Sequence, residues 1–206
     1  RGPYYQPEKW ESSDKIMTAL KAALGKSQGE EAGWLAGEMT RNRIEDEAAT
    51  QQLIALAATD AKILDALIAQ LVKKDNVPQE AIPLLAKAAA APETAPAVRA
   101  DAIAILVKTD NAAAWHALPV ALAQFTGKDG RKGGEKAEQA FLGAPKLENF
   151  HAYFEELAAK ADGEPAQWAE AALLALSARN SGSPESREQS AKSLEAGWTD
   201  AKRRTQ

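Results

Sequence analysis

Landmarks recur along this chain at an offset of about 35 residues, and that spacing narrows the folds open to it more than any single motif does. Leu71-Val72-Lys73-Lys74-Asp75-Asn76 returns as Leu106-Val107-Lys108-Thr109-Asp110-Asn111. The same step reaches Phe141, then Leu176, and backward it lands near Leu35. A second register runs beside the first. Ala81-Ile82-Pro83-Leu84 aligns with Ala117-Leu118-Pro119-Val120, and Trp115-His116-Ala117 aligns with Phe150-His151-Ala152. A period of this length suits a two-helix unit that cannot bury its apolar face alone and must stack on neighbours.

The stretch from Ile82 to Leu106 shows one unit most plainly. Pro83 falls in the first turns of one helix, Pro92 and Pro96 punctuate a turn, and Val98, Ala102, Ile103 and Leu106 share one face of a second helix. These residues resemble the HEAT repeat. Pro83-Leu84-Leu85 matches the Pro-Leu-Leu of its first helix, and Val98-Arg99, Ala102 and Leu106 match the Val-Arg-x-x-Ala-x-x-x-Leu of its second. The turn Ala-Pro-Glu-Thr-Ala-Pro departs from the pattern, being about two residues longer and lacking the usual Asp. The resemblance implies a right-handed α-α superhelix, a HEAT-like solenoid, here of about five helical hairpins.

Composition agrees with helix throughout. Alanine supplies 46 of the 206 residues, and so many small side chains let helices approach closely without loss of helix propensity. No strand pattern is present. Cysteine is absent, which excludes disulfides, thiolate metal sites and a cysteine nucleophile and accords with a periplasmic or secreted setting. The net charge of −4, with both signs interspersed, argues against nucleic acid and against the HEAT-like DNA glycosylases, because phosphate binding needs clustered cations. No apolar run approaches the ~18 residues of a membrane span.

Read in order, residues 1–13 form an extended N-terminal segment whose Tyr4, Tyr5 and Trp10 pack over the first hairpin. Residues 14–180 carry the hairpins, and 185–206 a terminal helix with no stop signal, so both ends read as cut from a longer polypeptide. Ser12, Ser13 or Asp14 caps a first helix bearing Ile16, Met17, Leu20 and Leu24, and its partner from about Glu30 to Met39 turns Trp34 and Leu35 inward. Thr40 to Glu47 is a charged connector. Asp60 caps the helix of Ile63, Leu67 and Leu71, and Asn111 starts that of Trp115, Leu118, Leu122 and Phe125. Asn180 to Pro184 reads as a turn.

Gly127-Lys128-Asp129-Gly130-Arg131-Lys132-Gly133-Gly134 lacks both the Lys-Ser/Thr and the preceding strand of a phosphate loop, and reads as a flexible turn with a basic tip before a short helix through Phe141. His116 and His151 occupy equivalent places on successive first helices. Glu155 and Glu156 follow His151, yet Val120 and Ala121 stand after His116, so the His-Glu repeats of HEAT-like di-iron hydroxylases are missing and no metal is expected. Adjacent pairs such as Glu30-Glu31 and Glu155-Glu156 diverge on a helix and read as solvated faces. No Gly-x-Ser-x-Gly elbow occurs.

The expectation is therefore a non-enzymatic protein-interaction scaffold, with no catalytic, cofactor or metal residues, acting on a protein partner or on neighbouring domains of a parent chain. Two other readings belong beside it. Gly2-Pro3-Tyr4-Tyr5-Gln6-Pro7-Glu8-Lys9-Trp10 and Gly197-Trp198-Thr199-Asp200-Ala201-Lys202-Arg203-Arg204 look similar to segments of large exported bacterial proteins that join a sugar-dehydrogenase-like propeller, HEAT repeats and a c-type haem domain. That likeness implies a structural spacer within an oxidoreductase, with any haem elsewhere because no Cys-x-x-Cys-His is present. A stand-alone enzyme is the weakest.

Overall fold

The computed structural model is all-α and describes residues 14–41, 47–125, 127–180 and Lys192. The N-terminal aromatics, most of the charged connector, the turn after Asn180 and the terminal helix fall outside the described residues. Among the described residues ten α-helices follow one another: α1 (Asp14–Leu24), α2 (Gly29–Arg41), α3 (Glu47–Ala57), α4 (Ala61–Leu71), α5 (Ile82–Ala90), α6 (Pro96–Leu106), α7 (Ala112–Leu122), α8 (Gly127–Gly143), α9 (His151–Lys160) and α10 (Glu164–Asn180). Short 3-10 segments, Gln79–Ala81 and Pro145–Phe150, lead into α5 and α9.

The chain forms two compact units, residues 1–74 and 75–206. In the first, α2 lies along α4, α1 touches α2 and α3, and α3 packs on α4. The Asp60 carboxylate accepts from the amides of Lys62 and Ile63, so two of α4's orphan donors are satisfied at the expected cap. Gln52 donates to the Leu24 carbonyl at the end of α1 (2.9 Å).

In the second unit α5 packs on α6 and along α7, α6 runs along α8, and α9 packs on α10. So α5 neighbours α7 and α6 neighbours α8, while α7 packs next on α10 and meets α9 through side chains such as His116 and Tyr153. Asn111 caps α7 through the amide of Ala114. Trp115 fills the centre, stacked on Phe150 at 4.6 Å, with Phe141 and Phe154 against it and its indole N–H donating to the Thr109 carbonyl (2.8 Å). The last bond matters because a buried indole donor left unpaired would cost about 1–3 kcal/mol.

The landmark positions Leu35, Leu71, Leu106, Phe141 and Leu176 lie on α2, α4, α6, α8 and α10, and all are buried. A second pattern was not visible in the residues alone. Polar groups of successive segments bond across separations of 25 to 39 residues, among them Glu30 to Lys62, Gln79 to Asn111, Asp101 to Lys136, Asp110 to Lys146 and the Ala144 carbonyl to Arg179 at 32, 32, 35, 36 and 35.

Four expectations are corrected. Trp34 points outward, 65% exposed. Successive helical residues are turned by about 100°, and α2 buries the column Ala32, Leu35 and Met39, which leaves Trp34 on another side. The stretch 127–134 is not a turn, since α8 starts at Gly127 and runs for 17 residues. Gly133 serves close packing: a Cβ there would stand 2.8 Å from the Pro96 carbonyl oxygen and 3.0 Å from the Phe125 ring. Nor does α6 bury a single face, because Arg99, Ala100 and Ile105 are covered as well as Ala102, Ile103 and Leu106. Finally, Pro83 lies in the first turn of α5 while its aligned Pro119 sits inside α7, where it removes the amide that would bond the Trp115 carbonyl.

Candidate interaction surface

Helix α7, Ala-Ala-Ala-Trp-His-Ala-Leu-Pro-Val-Ala-Leu, contains no charged residue. Its inner side buries Ala114, Trp115, Leu118, Pro119, Ala121 and Leu122. The other side is open: Ala113 and His116 are exposed, Ala117 is half-buried, and Val120 remains 46% exposed. These four recur at i, i+3, i+4 and i+7, which is one continuous stripe. A helix apolar all round is ordinarily covered on every side, so an open stripe on one is informative where a lone exposed Val would not be.

The stripe has a built edge. The His116 ring stacks on Tyr153 of α9 at 4.0 Å between centroids, and the Tyr153 hydroxyl donates to the His116 carbonyl (3.2 Å). Burial raises the Tyr153 pKa above the usual phenol range, so this hydroxyl stays protonated and a donor at neutral pH. Beyond it, Lys160 donates to Glu156 (2.6 Å). That bond, with the ammonium charge and a smaller contribution from nearby His116, lowers the Glu156 pKa. Helix α5, which packs along α7, has Pro83 and Lys87 exposed.

The two histidines occupy successive odd helices as read from the spacing, and both are exposed, but their partners differ. His151 lies 3.4 Å from Glu155 through Nδ1, while His116 holds its aromatic stack. Among the described residues no group of three or more His, Cys, Asp or Glu could hold a metal ion. Glu155 and Glu156 are solvated and take different partners, His151 and Lys160.

Two other surface features lie outside the stripe. An open cleft of about 480 Å³ lies over Ala104, Val107, Ala140 and Pro145, rimmed by Asp75, Lys108 and Lys146. Lys146 is already bound to Asp110 at 2.6 Å, and the hydrogen bonds from Lys146 and Asn149 hold the Asp110 carboxyl below the usual range. The rim is thus close to neutral and has no preference for an ion. Exposed Trp34 shares its side of α2 with Glu30, Glu31 and Glu38, one turn away.

No residue of the α7 stripe stood out in the sequence as a binding residue, although the lack of charge in 112–122 was readable. What hid it was the helical phase, since Leu118, Leu122 and Val120 look alike until the buried side is known. No family model matches the chain, and neither a curated protein nor a solved structure matches it. None of the described helices is long and apolar enough to cross a membrane.

Proposed function

We propose that this chain is a non-catalytic protein-interaction scaffold built from HEAT-like helical repeats, with the outward side of α7 as its contact surface. The observation that carries the reading is the open, uncharged stripe Ala113, His116, Ala117 and Val120 beside the Tyr153 ring. Water contact with an apolar stripe costs about 25 cal/mol per Å², and an aromatic edge with small apolar neighbours suits a protein interface core. The repeat part rests on the buried landmarks and on polar pairs one repeat length apart, as expected when each hairpin meets its copy at the same place.

The test places a photo-crosslinking amino acid at position 120 of the purified protein and, separately, screens it for hydrolase and redox turnover. Under this reading residue 120 crosslinks to one discrete protein species, the crosslink is lost in Ala117→Glu, and no turnover is seen. Crosslinking indifferent to Ala117→Glu, or reproducible turnover by the chain alone, would overturn it.

A further inference from the structure

We infer that exposed Trp34 on α2 is a second contact point, one that receives an arginine side chain of a basic peptide segment. It rests on the residues of α2 and not on the α7 stripe. Among the described residues Trp115 and Trp168 are buried, whereas Trp34 is 65% exposed. Glu30 and Glu31 precede it by four and three positions and Glu38 follows by four, so all three carboxylates lie within about 60° of its direction around the helix. Helical side chains lean toward the N-terminus, which carries the indole toward the turn of Glu30 and Glu31.

The dipole at the start of α2 accounts for Glu30 and Glu31, but neither for Glu38 nor for a bare indole. Glu30 is bound to Lys62 at 2.9 Å in an exposed pair, and Glu38 is half-buried. Among the described residues neither the Trp34 ring nor the Glu31 carboxylate has a bonding or stacking partner. An aromatic face and a carboxylate one turn apart are the two halves of a guanidinium site: the flat cation stacks on the indole while its edge donates to the carboxylate. Lysine supplies the charge without the flat face or the fork. The same carboxylates repel the phosphates of nucleic acid and of anionic lipid, so charge complementarity selects a cationic peptide.

The experiment titrates the whole chain with a capped peptide of alternating arginine and glycine, following the Trp34 indole N–H by NMR and the affinity by calorimetry. The Trp34 signal should shift saturably with a Kd of about 0.1–1 mM, as suits a small contact. Trp34→Ala, with an unchanged far-UV circular dichroism spectrum, should weaken binding about tenfold and Glu31→Gln about threefold, while Trp34→Phe keeps part of it. The matching lysine peptide should bind about threefold more weakly. Glu148→Gln, which removes an exposed carboxylate elsewhere, should leave the affinity unchanged and so separates the site from net charge. A Trp34 signal that ignores the arginine peptide, equal binding by Trp34→Ala, or a Trp34 shift elicited instead by a neutral oligosaccharide or by phosphatidylserine vesicles overturns the assignment. Residue 120 takes no part in these measurements, so this inference and the α7 reading fail separately.

Discussion

Arg99 is 2% exposed, and it is charged. Its Nε donates to the Ala89 carbonyl (3.1 Å), Nη2 to Ala91 and Pro92 (2.7 and 3.2 Å) and Nη1 to Gln124 (3.3 Å), while the guanidinium lies over the Phe125 ring at 5.4 Å. The Ala89 carbonyl belongs to the last turn of α5 and those of Ala91 and Pro92 follow it, the Ala91 oxygen also accepting from the Thr94 amide (3.1 Å). One side chain therefore closes α5 and ties it to the chain after α7. Burial lowers the Arg99 pKa and Glu93 opposes this, but a guanidinium stays protonated in proteins. Arg99→Met should cost roughly 2–4 kcal/mol in urea unfolding, because the buried bond to the Ala89 carbonyl and the part-buried ones to Ala91, Pro92 and Gln124 are all lost. Arg99→Lys should recover less than half, since an ammonium has no fork to span them. Leu71→Ala and Leu106→Ala, each fully buried, should cost about 2–5 kcal/mol apiece by cavity formation. Asp110 offers a pH readout. Its pKa is lowered by Lys146, so the pair's contribution is present at and above the ordinary aspartate range and is lost as pH falls through the lowered pKa. In Lys146→Met the Asp110 titration followed by NMR should move up toward the ordinary value.

At the scale of elements, α8 separates intrinsic propensity from packing. Alanine is favoured over glycine in a helix by about 1 kcal/mol, so Gly→Ala should stabilise wherever space allows. Gly143 has nothing within 4 Å of an added Cβ, and Gly143→Ala should gain about 0.5 kcal/mol, less than the full amount because it ends the helix. Gly133 is hemmed by backbone: the Pro96 carbonyl oxygen would lie 2.8 Å from the new atom. Gly133→Ala should therefore lower the urea midpoint despite better propensity, because the first turn of α6 cannot yield as a flexible side chain would. Equal stabilisation by both would show that α6 and α8 are not so closely packed. The same element explains an expectation that failed. Four glycines in eight residues are ordinarily loop chemistry, and only the partner helix reveals that missing side chains are a packing device.

For the whole molecule, the proposed stacking of hairpins has a consequence that a single cooperative core lacks. If stability is a sum of local units and their interfaces, a lesion should remain local. Leu71→Ala should speed amide hydrogen exchange in α2 and α3 while leaving α9 and α10 near their original protection. A uniform rise across all ten helices would instead mark one cooperative unit and count against the repeat reading.

Helix type and most helix starts followed from the residues alone, because Asp60 and Asn111 cap by local chemistry and the burial of Leu71, Leu106, Phe141 and Leu176 follows from a regular spacing. The outward turn of Trp34, the helix through Gly133, the buried Arg99 and the open side of α7 did not follow. Each depends on which neighbour covers which side of a helix, and that is settled by residues far away in sequence. A helical period states how often a face recurs; only packing against other helices decides which face is inside.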